Sequence, residues 1–187
     1  MTRPERGQLL IADPFLADPN FRRSIVMICQ YSAKEGTFGV VLNQPLPVKL
    51  KDILDDPNIP DEYRLYRGGP VENNRLFFIH RVPDLIRGGL HIKDKLNLGG
   101  RFEDVKLLLT GKILSTKTIK FFVGYSGWAP GQLEAEIRNG GWILESAVPD
   151  DIFLDVTNEA RYWKSILARK GKAFEMLSKF PQSPFQN

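Results

Sequence analysis

The sequence predicts an α+β fold, a single domain with a mostly antiparallel sheet of six or seven strands and about four helices. The chain has 187 residues, of which 42% are hydrophobic and 26% charged, a composition typical of one ordinary globular core. Strand patterns joined by hairpin turns dominate the first third, and helical patterns come later. Because strands and helices do not alternate strictly, a parallel β/α arrangement is disfavoured.

The first three strands are predicted from apolar runs and the turns between them. The run Gln8–Ala12 is short and ends at an Asp-Pro pair. Residues Ser24–Tyr31 (SIVMICQY) are apolar at nearly every position, which is typical of a strand covered on both faces. Residues 33–36 then predict a hairpin turn, and 37–43 the return strand, which Pro45 stops.

The middle of the chain predicts a short helix and then turn chemistry. Residues 49–55 place apolar side chains on one side of a helix that Pro57 ends. Residues 68–74 (GGPVENN) indicate a turn, and 75–81 (RLFFIHR) a strand. A glycine-rich connection is expected at 87–100.

The last part of the chain is predicted to contain more helix. Three further helices and two strands are expected, in the order helix 101–110, strand 118–125, helix 130–140, strand 142–148 and helix 157–171. We divide the chain into a globular domain at 1–170 and a C-terminal tail at 171–187. The scattered apolar residues of the tail fit either a loosely packed segment or a partner-binding one.

Composition excludes several classes of site and compartment. The single cysteine excludes an internal disulfide, and two histidines make a metal site improbable. No phosphate-binding loop or dinucleotide fingerprint is present, so no cofactor is expected. No apolar run spans a membrane, and the N-terminus does not resemble a secretion signal. We therefore expect a cytoplasmic protein with no membrane association.

The net charge of +4 lies entirely in the C-terminal segment. Residues 1–156 hold 20 basic and 20 acidic side chains, whereas residues 157–187 hold six basic and two acidic ones. Such a segment attracts nucleic acid or an acidic partner. It is also typical of a solvated helix whose lysines complement the helix dipole, and the absence of a compact basic cluster favours this second interpretation.

The most distinctive stretch is GYSGWAPGQLEAEI at residues 124–137. A strand ends there and a helix begins, and a helix start offers unpaired N–H groups to an anion. The candidate ligand-binding residues are therefore Tyr125, Ser126, Trp128 and Gln132. The alternative is a structural corner in which Trp128 fills the core, and the residues alone leave both interpretations open.

Two other stretches supply further candidates. Arg67, Gly68 and Gly69 precede a proline in a constrained turn that lets a backbone or a ligand approach, and Arg67 is suited to a carboxylate or phosphate. Asn43 follows a strand in GVVLNQP, where its side chain can bond either the nearby backbone or a ligand.

Together the three stretches resemble the AlgH/YqgE family of bacterial proteins. GYSGWAPGQLEAEI is similar to its GYAGWxxGQLExEI signature with serine at 126, RGGPV contains its GGPV, and GVVLNQP matches G-x-x-x-N-[RK]-P with Gln44 in place of a basic residue. The resemblance covers about residues 7–169. It implies a bifurcated sheet that curls toward a barrel with helices around it. It also implies a link to transcriptional regulation, but no agreed biochemical activity.

Three functional hypotheses remain at this point. The first is a non-enzymatic binding or regulatory module, whose three loops converge at one end of the sheet and bind a small molecule or a protein; it assigns no catalytic residue. The second is association with nucleic acid through the basic C-terminal helix, with Trp163 or Phe174 stacking on bases. The third is an enzyme that uses Ser126, Cys29 or His80.

Overall fold

A computed structural model of the protein describes residues 3–179, and these residues form an α+β fold with ten strands and six α-helices. The strands are β1 Gln8–Ala12, β2 Ile25–Ser32, β3 Gly36–Val41, β4 Pro45–Lys49, β5 Arg64–Arg67, β6 Val71–His80, β7 Leu90–Lys93, β8 Leu96–Leu98, β9 Ile119–Trp128 and β10 Trp142–Ser146. The helices are α1 Leu50–Leu54, α2 Phe102–Thr110, α3 Gln132–Arg138, α4 Pro149–Ile152, α5 Glu159–Leu167 and α6 Lys172–Leu177, with a 3₁₀ turn at Ala168–Lys170.

Strand β9 is the point at which the sheet divides. The strand order is β10-β1-β2-β3-β9-β6-β8-β7, and β5, which carries β4, also pairs with β9. The first half of β9 pairs with β6 and, in parallel, with β5, while its last residues pair with β3. The predicted mostly antiparallel, bifurcated sheet is confirmed. Its edge strands β10 and β7 do not pair with each other, so the described sheet is not closed into a barrel.

The additional strands are short or contain proline. The connection predicted at 87–100 holds the hairpin of β7 and β8, and strands of three or four residues carry too little alternation to be recognised. Strand β4 contains both Pro45 and Pro47, which were expected to end a strand. It pairs with β5 alone, and an edge strand tolerates residues without an N–H.

Strand β6 begins at Val71, so four residues of the predicted turn belong to this strand. Val71 pairs with Tyr125, and a bulge separates this pair from the next one at Leu76. The irregular register explains why GGPVENN looked like a turn in the sequence, since a bulge interrupts the side-chain alternation of a strand.

The four predicted helices are present, and α4 and α6 are additional. Both are too short to show a helical period, with four and six residues. Helix α6 lies inside the predicted tail, and its Phe174 packs against the largest core cluster. The rest of that tail, residues 180–187, lies outside the described residues.

The core consists of three clusters that divide along the faces of β9. One cluster contains Tyr66, Phe122 and Trp163, and a second contains Leu65 and Phe121. A third surrounds Trp128 and Trp142. Neighbouring residues of β5 and β9 therefore enter different clusters, as the alternation of side chains along a strand requires. This alternation determines which side chains can meet next to β9.

Candidate functional site

The three motif segments meet at the junction of β3, β5 and β9. The Gly68 N–H donates to the Val123 carbonyl at 2.8 Å, and the Gly68 carbonyl accepts the Val41 N–H at 2.8 Å. The buried Ser126 hydroxyl donates to the same carbonyl at 3.0 Å. The Arg67 N–H donates to the Gln44 carbonyl at 2.8 Å. The sequence motifs are therefore neighbours in space.

The glycines at this junction allow close packing of the chain. A Cβ at Gly68 would lie 2.2 Å from the Gly124 carbonyl oxygen, and one at Gly69 would lie 2.2 Å from that of Tyr125. Gly69 also has φ +155°, a region that side chains other than glycine rarely adopt. Because backbone already occupies this space, Gly68 and Gly69 hold strands together and leave no room for a ligand beside their Cα atoms.

Asn43 is fully buried and bonds to backbone groups with its whole amide. Its Oδ1 accepts the Ile25 N–H at 2.8 Å, and its Nδ2 donates to the carbonyls of Arg23 at 2.9 Å and Glu159 at 3.2 Å. The side chain therefore ties the end of β3 to β2 and to the start of α5. Arg67 is nearby, and its Nη2 donates to Asn20 Oδ1 at 2.9 Å.

Trp128 and Gln132 surround one acidic side chain. Trp128 is 5% exposed and donates from Nε1 to Glu136 Oε2 at 2.9 Å, and Trp142 donates to the same oxygen at 2.8 Å. Gln132 donates to Glu136 Oε1 and accepts the Ala129 N–H, both at 2.9 Å. These contacts fix the start of α3 against the third core cluster.

Tyr125 lies in a shallow depression, which we call the motif cleft. Its ring stacks on Phe38 with centroids 4.6 Å apart and meets the edge of Phe77 at 5.7 Å. Trp128 is the other candidate residue at this surface. The motif cleft has a volume of about 420 Å³ and is lined by Gln30, Glu35, Gly36, Thr37, Phe38, Val71, Tyr125, Gly127 and Trp128.

Ser126, Cys29 and His80, the three residues considered as nucleophiles or bases, are buried and contact other groups of the protein. Ser126 donates to a backbone carbonyl, as described above. Cys29 is fully buried in the first core cluster, and burial raises the pKa of its thiol. His80 Nε2 lies 3.1 Å from the Gly99 carbonyl, its Nδ1 accepts the Val82 N–H at 3.3 Å, and burial lowers its pKa. This is the bonding of a neutral structural histidine.

The position of Trp163 contradicts one part of the nucleic-acid hypothesis, the stacking of this side chain on bases. Trp163 is fully buried and donates from Nε1 to the Ala12 carbonyl at 2.9 Å, so it cannot stack on bases. Arg169 Nη2 donates to Asp151 Oδ1 at 2.8 Å, and Lys170 Nζ lies 3.2 Å from Glu145 Oε2. Part of the basic charge is thus neutralised within the molecule.

A second cavity lies beside the first half of β9, and we call it the lysine cleft. Its volume is about 460 Å³, within the range of small-molecule sites. Strands β4, β5 and β9 and the segment after α4 enclose it. Its lining consists of Leu46, Pro47, Val48, Lys49, Asp61, Glu62, Tyr63, Arg64, Tyr66, Thr116, Ile119, Lys120, Phe121, Phe153, Leu154 and Asp155.

Lys120 reaches this cleft from the middle of the sheet. Leu65 pairs with Phe121 and Tyr66 with Phe122 in parallel register, so Tyr66 and Lys120 project from the same face. The Lys120 Nζ lies 3.9 Å from the centroid of the Tyr66 ring and donates to the Leu154 carbonyl at 2.9 Å. The side chain is 5% exposed.

The charge of Lys120 is destabilised by its surroundings. Burial lowers the pKa of its amine from 10.5 to about 7, and the Asp155 carboxylate opposes this shift. A lysine in this setting has a much larger fraction of neutral amine at neutral pH than an exposed lysine has. A neutral amine is a hydrogen-bond acceptor and a nucleophile, which an ammonium is not.

The entrance of the lysine cleft carries a polar network. The Tyr66 hydroxyl donates to Asp155 Oδ1 at 2.9 Å and accepts the Val156 N–H at 3.1 Å. Arg64 Nε lies 3.2 Å from the same carboxylate oxygen. Burial raises the pKa of Tyr66 above its ordinary value, so this hydroxyl remains protonated at neutral pH. The network fixes Tyr66 beneath the lysine.

Sequence reasoning did not identify the lysine cleft, although one signal was present. Lys120 is the only charged residue in the apolar strand TIKFFVGY, and a charge inside a strand with two covered faces predicts either an edge position or a buried ion. The other components, Arg64, Tyr66 and Asp155, come from segments without a shared motif.

No metal or membrane feature adds to this site. Among residues 3–179, His, Cys, Asp and Glu side chains form no group of three or more that could hold a metal ion. The helices described there contain at most nine residues, and none is long and apolar enough to cross a membrane.

Comparison with known proteins identifies the family. The profile of the AlgH-like family of unknown function matches residues 9–175. A UPF0301 protein of Cytophaga hutchinsonii is 35% identical over 183 residues, which are 97% of this chain and 98% of the relative. A UPF0301 protein of Parabacteroides distasonis is 38% identical over 190 residues, with 98% and 92% of the two chains covered. The chain therefore belongs to the AlgH-like family.

Solved structures are similar over nearly the whole chain. The solution structure of the AlgH protein from Pseudomonas aeruginosa superposes with a TM-score of 0.72 at 28% identity and covers 97% of both chains. The crystal structure of a protein from Corynebacterium diphtheriae has a TM-score of 0.76 at 24% identity and covers 96% of this chain and 94% of its own. The second comparison supports the fold alone.

Proposed function

We propose that this member of the AlgH-like family is a non-enzymatic binding module that takes a small organic molecule in the lysine cleft. The observation that carries the proposal is the buried amine of Lys120. Burying a charge that is not fully paired destabilises a fold, so a lysine found at such a position is a candidate for function. Among the described residues, the Leu154 carbonyl accepts one hydrogen bond from the Lys120 Nζ. The remaining hydrogen-bonding capacity of Nζ can serve a ligand.

The lining of the cleft determines the kind of molecule that fits. Apolar residues such as Leu46, Phe153 and Leu154 line the cleft and offer contact to a hydrocarbon body. Lys120 and, at the entrance, Arg64 offer hydrogen-bond donors to an oxygen. The ligand is therefore a small molecule with an apolar body and one polar, oxygen-bearing head group.

In this proposal the three motif segments do not contact the ligand, and they hold in place the strands that form the cleft. They fix β3, β5 and β9 through backbone contacts, and β5 and β9 carry Tyr66 and Lys120. A regulatory role would then be indirect, through a partner that distinguishes the ligand-bound from the free protein. Direct nucleic-acid binding has less support, because Trp163 is in the core and Arg169 and Lys170 are paired within the molecule.

A matched series of four-carbon probes tests the proposal by NMR. Butyrate, butanal and butanol share one apolar body and differ only in the head group. We expect at least one of them to shift the amide signals of cleft residues such as Tyr66, Lys120 and Phe121 in the isotope-labelled protein. The shifts should disappear in Lys120→Met and remain in Lys117→Met, which changes an exposed lysine three residues earlier. If no probe shifts these signals, or shifts occur only around Tyr125 in the motif cleft, the proposal fails.

A further inference from the structure

The amine of Lys120 has an unusual combination of surroundings for a lysine. The residue is 5% exposed and lines a cavity of about 460 Å³, and its Nζ lies over the ring of Tyr66 and donates to the Leu154 carbonyl. Amines that act as nucleophiles in proteins are commonly desolvated lysines in apolar pockets, because desolvation favours the neutral form. Lys117, three residues earlier in the chain, is by contrast exposed to solvent.

We infer that Lys120 is a carbonyl-capture residue that condenses reversibly with a small aldehyde held in the lysine cleft. The inference rests on the proposed small-molecule function and names the ligand class. The neutral Nζ attacks the carbonyl carbon, a C–N bond forms, and the oxygen takes a proton to give a carbinolamine. The nitrogen lone pair then expels that oxygen as water and the C–O bond breaks. The two protons lost by nitrogen leave in the water, the neutral imine nitrogen then takes one proton from solvent to become a cation, and no oxidation or reduction takes place.

Tyr66 and Asp155 are placed to assist this condensation as positioning residues. The face of the Tyr66 ring, 3.9 Å from Nζ, attracts a cation, and a protonated imine is a cation at the same position. The Tyr66 hydroxyl is fixed by Asp155 and by the Val156 N–H, so the ring keeps its orientation. The Asp155 side chain is 59% exposed, so this carboxylate is in contact with water at the entrance.

The cleft favours an aldehyde over the other oxygen-bearing head groups. A carboxylate has no electrophilic carbon at neutral pH, and an alcohol has none at all, so both can only hydrogen-bond with the amine. A carbonyl compound, in contrast, has an electrophilic carbon that the lone pair of the neutral amine can attack. Lys120 lines the cavity in which such a compound would bind. Lys120 therefore supplies a reactive group that simple hydrogen-bond recognition would not require.

Reductive trapping with butanal tests the inference on the full chain. The protein is incubated with butanal and cyanoborohydride at pH 7, and the modified lysines are identified by peptide mass mapping. We expect Lys120 to be modified about 10²–10³-fold faster than exposed lysines, because the neutral fraction of an amine with a pKa near 10.4 is far smaller at this pH. The N-terminal amine, with an ordinary pKa near 8, also reacts and is separated by the mapping.

The controls distinguish this inference from the general binding proposal. Lys117→Met should retain the fast modification, and Lys120→Met should lose it while the exposed lysines react at unchanged rates. Modification of the N-terminus and exposed lysines with Lys120 untouched would overturn the inference. If butyrate or butanal shifts the cleft signals without a trapped adduct on Lys120, the binding proposal stands and aldehyde capture fails. The wild-type peptide map decides the question even if Lys120→Met does not fold.

Discussion

The Nζ of Lys120 lies 3.9 Å from the centroid of the Tyr66 ring, in a part of the sheet where both side chains are almost fully buried. The parallel pairing of β5 with β9 creates this relationship, since it places Tyr66 beside Phe122 and on the face from which Lys120 projects. The aromatic face compensates part of the charge that burial disfavours. The same contact connects the stability of the protein to the chemistry proposed for the cleft.

Replacing Lys120 should stabilise the protein in a pH-dependent way. The pKa of the amine is about 7 in the folded protein, whereas its ordinary value of 10.5 applies to the unfolded chain. Between these two pH values the unfolded chain therefore binds more protons than the folded protein. The free energy of unfolding of the wild type should therefore rise with pH in this window. Below pH 7 the amine is charged in both states, so the destabilisation caused by burying it should be constant. We expect Lys120→Met to have a higher free energy of unfolding than wild type at pH 7, with the advantage about 2 kcal/mol smaller at pH 9.

Denaturant unfolding of both proteins at the two pH values measures this difference. Comparing each variant with wild type at the same pH cancels the titration of the buried tyrosines, which both proteins share. Lys117→Met is the control and should follow wild type at both pH values. An advantage that does not change between pH 7 and pH 9 would show that Lys120 keeps an ordinary pKa.

Replacing Trp128 should destabilise the fold strongly. The indole is 5% exposed, packs on Phe21 and donates to Glu136, so Trp128→Ala leaves a large cavity and a carboxylate without one of its donors. We expect a loss of about 3–5 kcal/mol in the free energy of unfolding. Gln132→Ala, a nearby exposed site, should lose less than about 1 kcal/mol. A similarly small loss in Trp128→Ala would instead assign the indole to ligand binding.

Replacing Gly68 should separate steric from conformational effects at the motif junction. A Cβ at Gly68 would lie 2.2 Å from the Gly124 carbonyl oxygen, whereas a Cβ at Gly131 meets no atom within 4 Å although its φ is +77°. We expect Gly68→Ala to lose about 3 kcal/mol through overpacking, and Gly131→Ala about 1 kcal/mol through backbone strain. Thermal and denaturant unfolding give both values. Equal losses would mean that the two glycines are needed only for their conformational freedom.

Cys29 should react with a thiol reagent only after unfolding. The side chain is fully buried and its thiol pKa is raised by burial, so little thiolate is present and none is accessible. We expect no reaction in native buffer and one equivalent in denaturant, measured by the colour released from an aromatic disulfide reagent. The Cys29→Ala variant gives the background. Rapid labelling of the native protein would revive the hypothesis of a reactive cysteine.

The sequence predicted the α+β class, the two antiparallel strands that flank the turn at residues 33–36, and the four main helices. It could do so because the amphipathic period of each element is a local property of the chain. It also identified the three motif segments that meet around Gly68. It left open whether Asn43, Ser126 and Trp128 bind a ligand or the protein itself, since the same side-chain chemistry serves both.

Only the tertiary structure decided which surface is a candidate site. Lys120, Tyr66 and Asp155 come from three separate segments, and no spacing between them indicates that they meet. The reactivity proposed for Lys120 depends on loss of water around its amine, which requires the 153–155 segment to cover the first half of β9. Desolvation is determined by all the chain packed around a group. The pattern of one strand therefore showed an unusual lysine, and only the assembled fold gave that lysine a shifted pKa and a cavity.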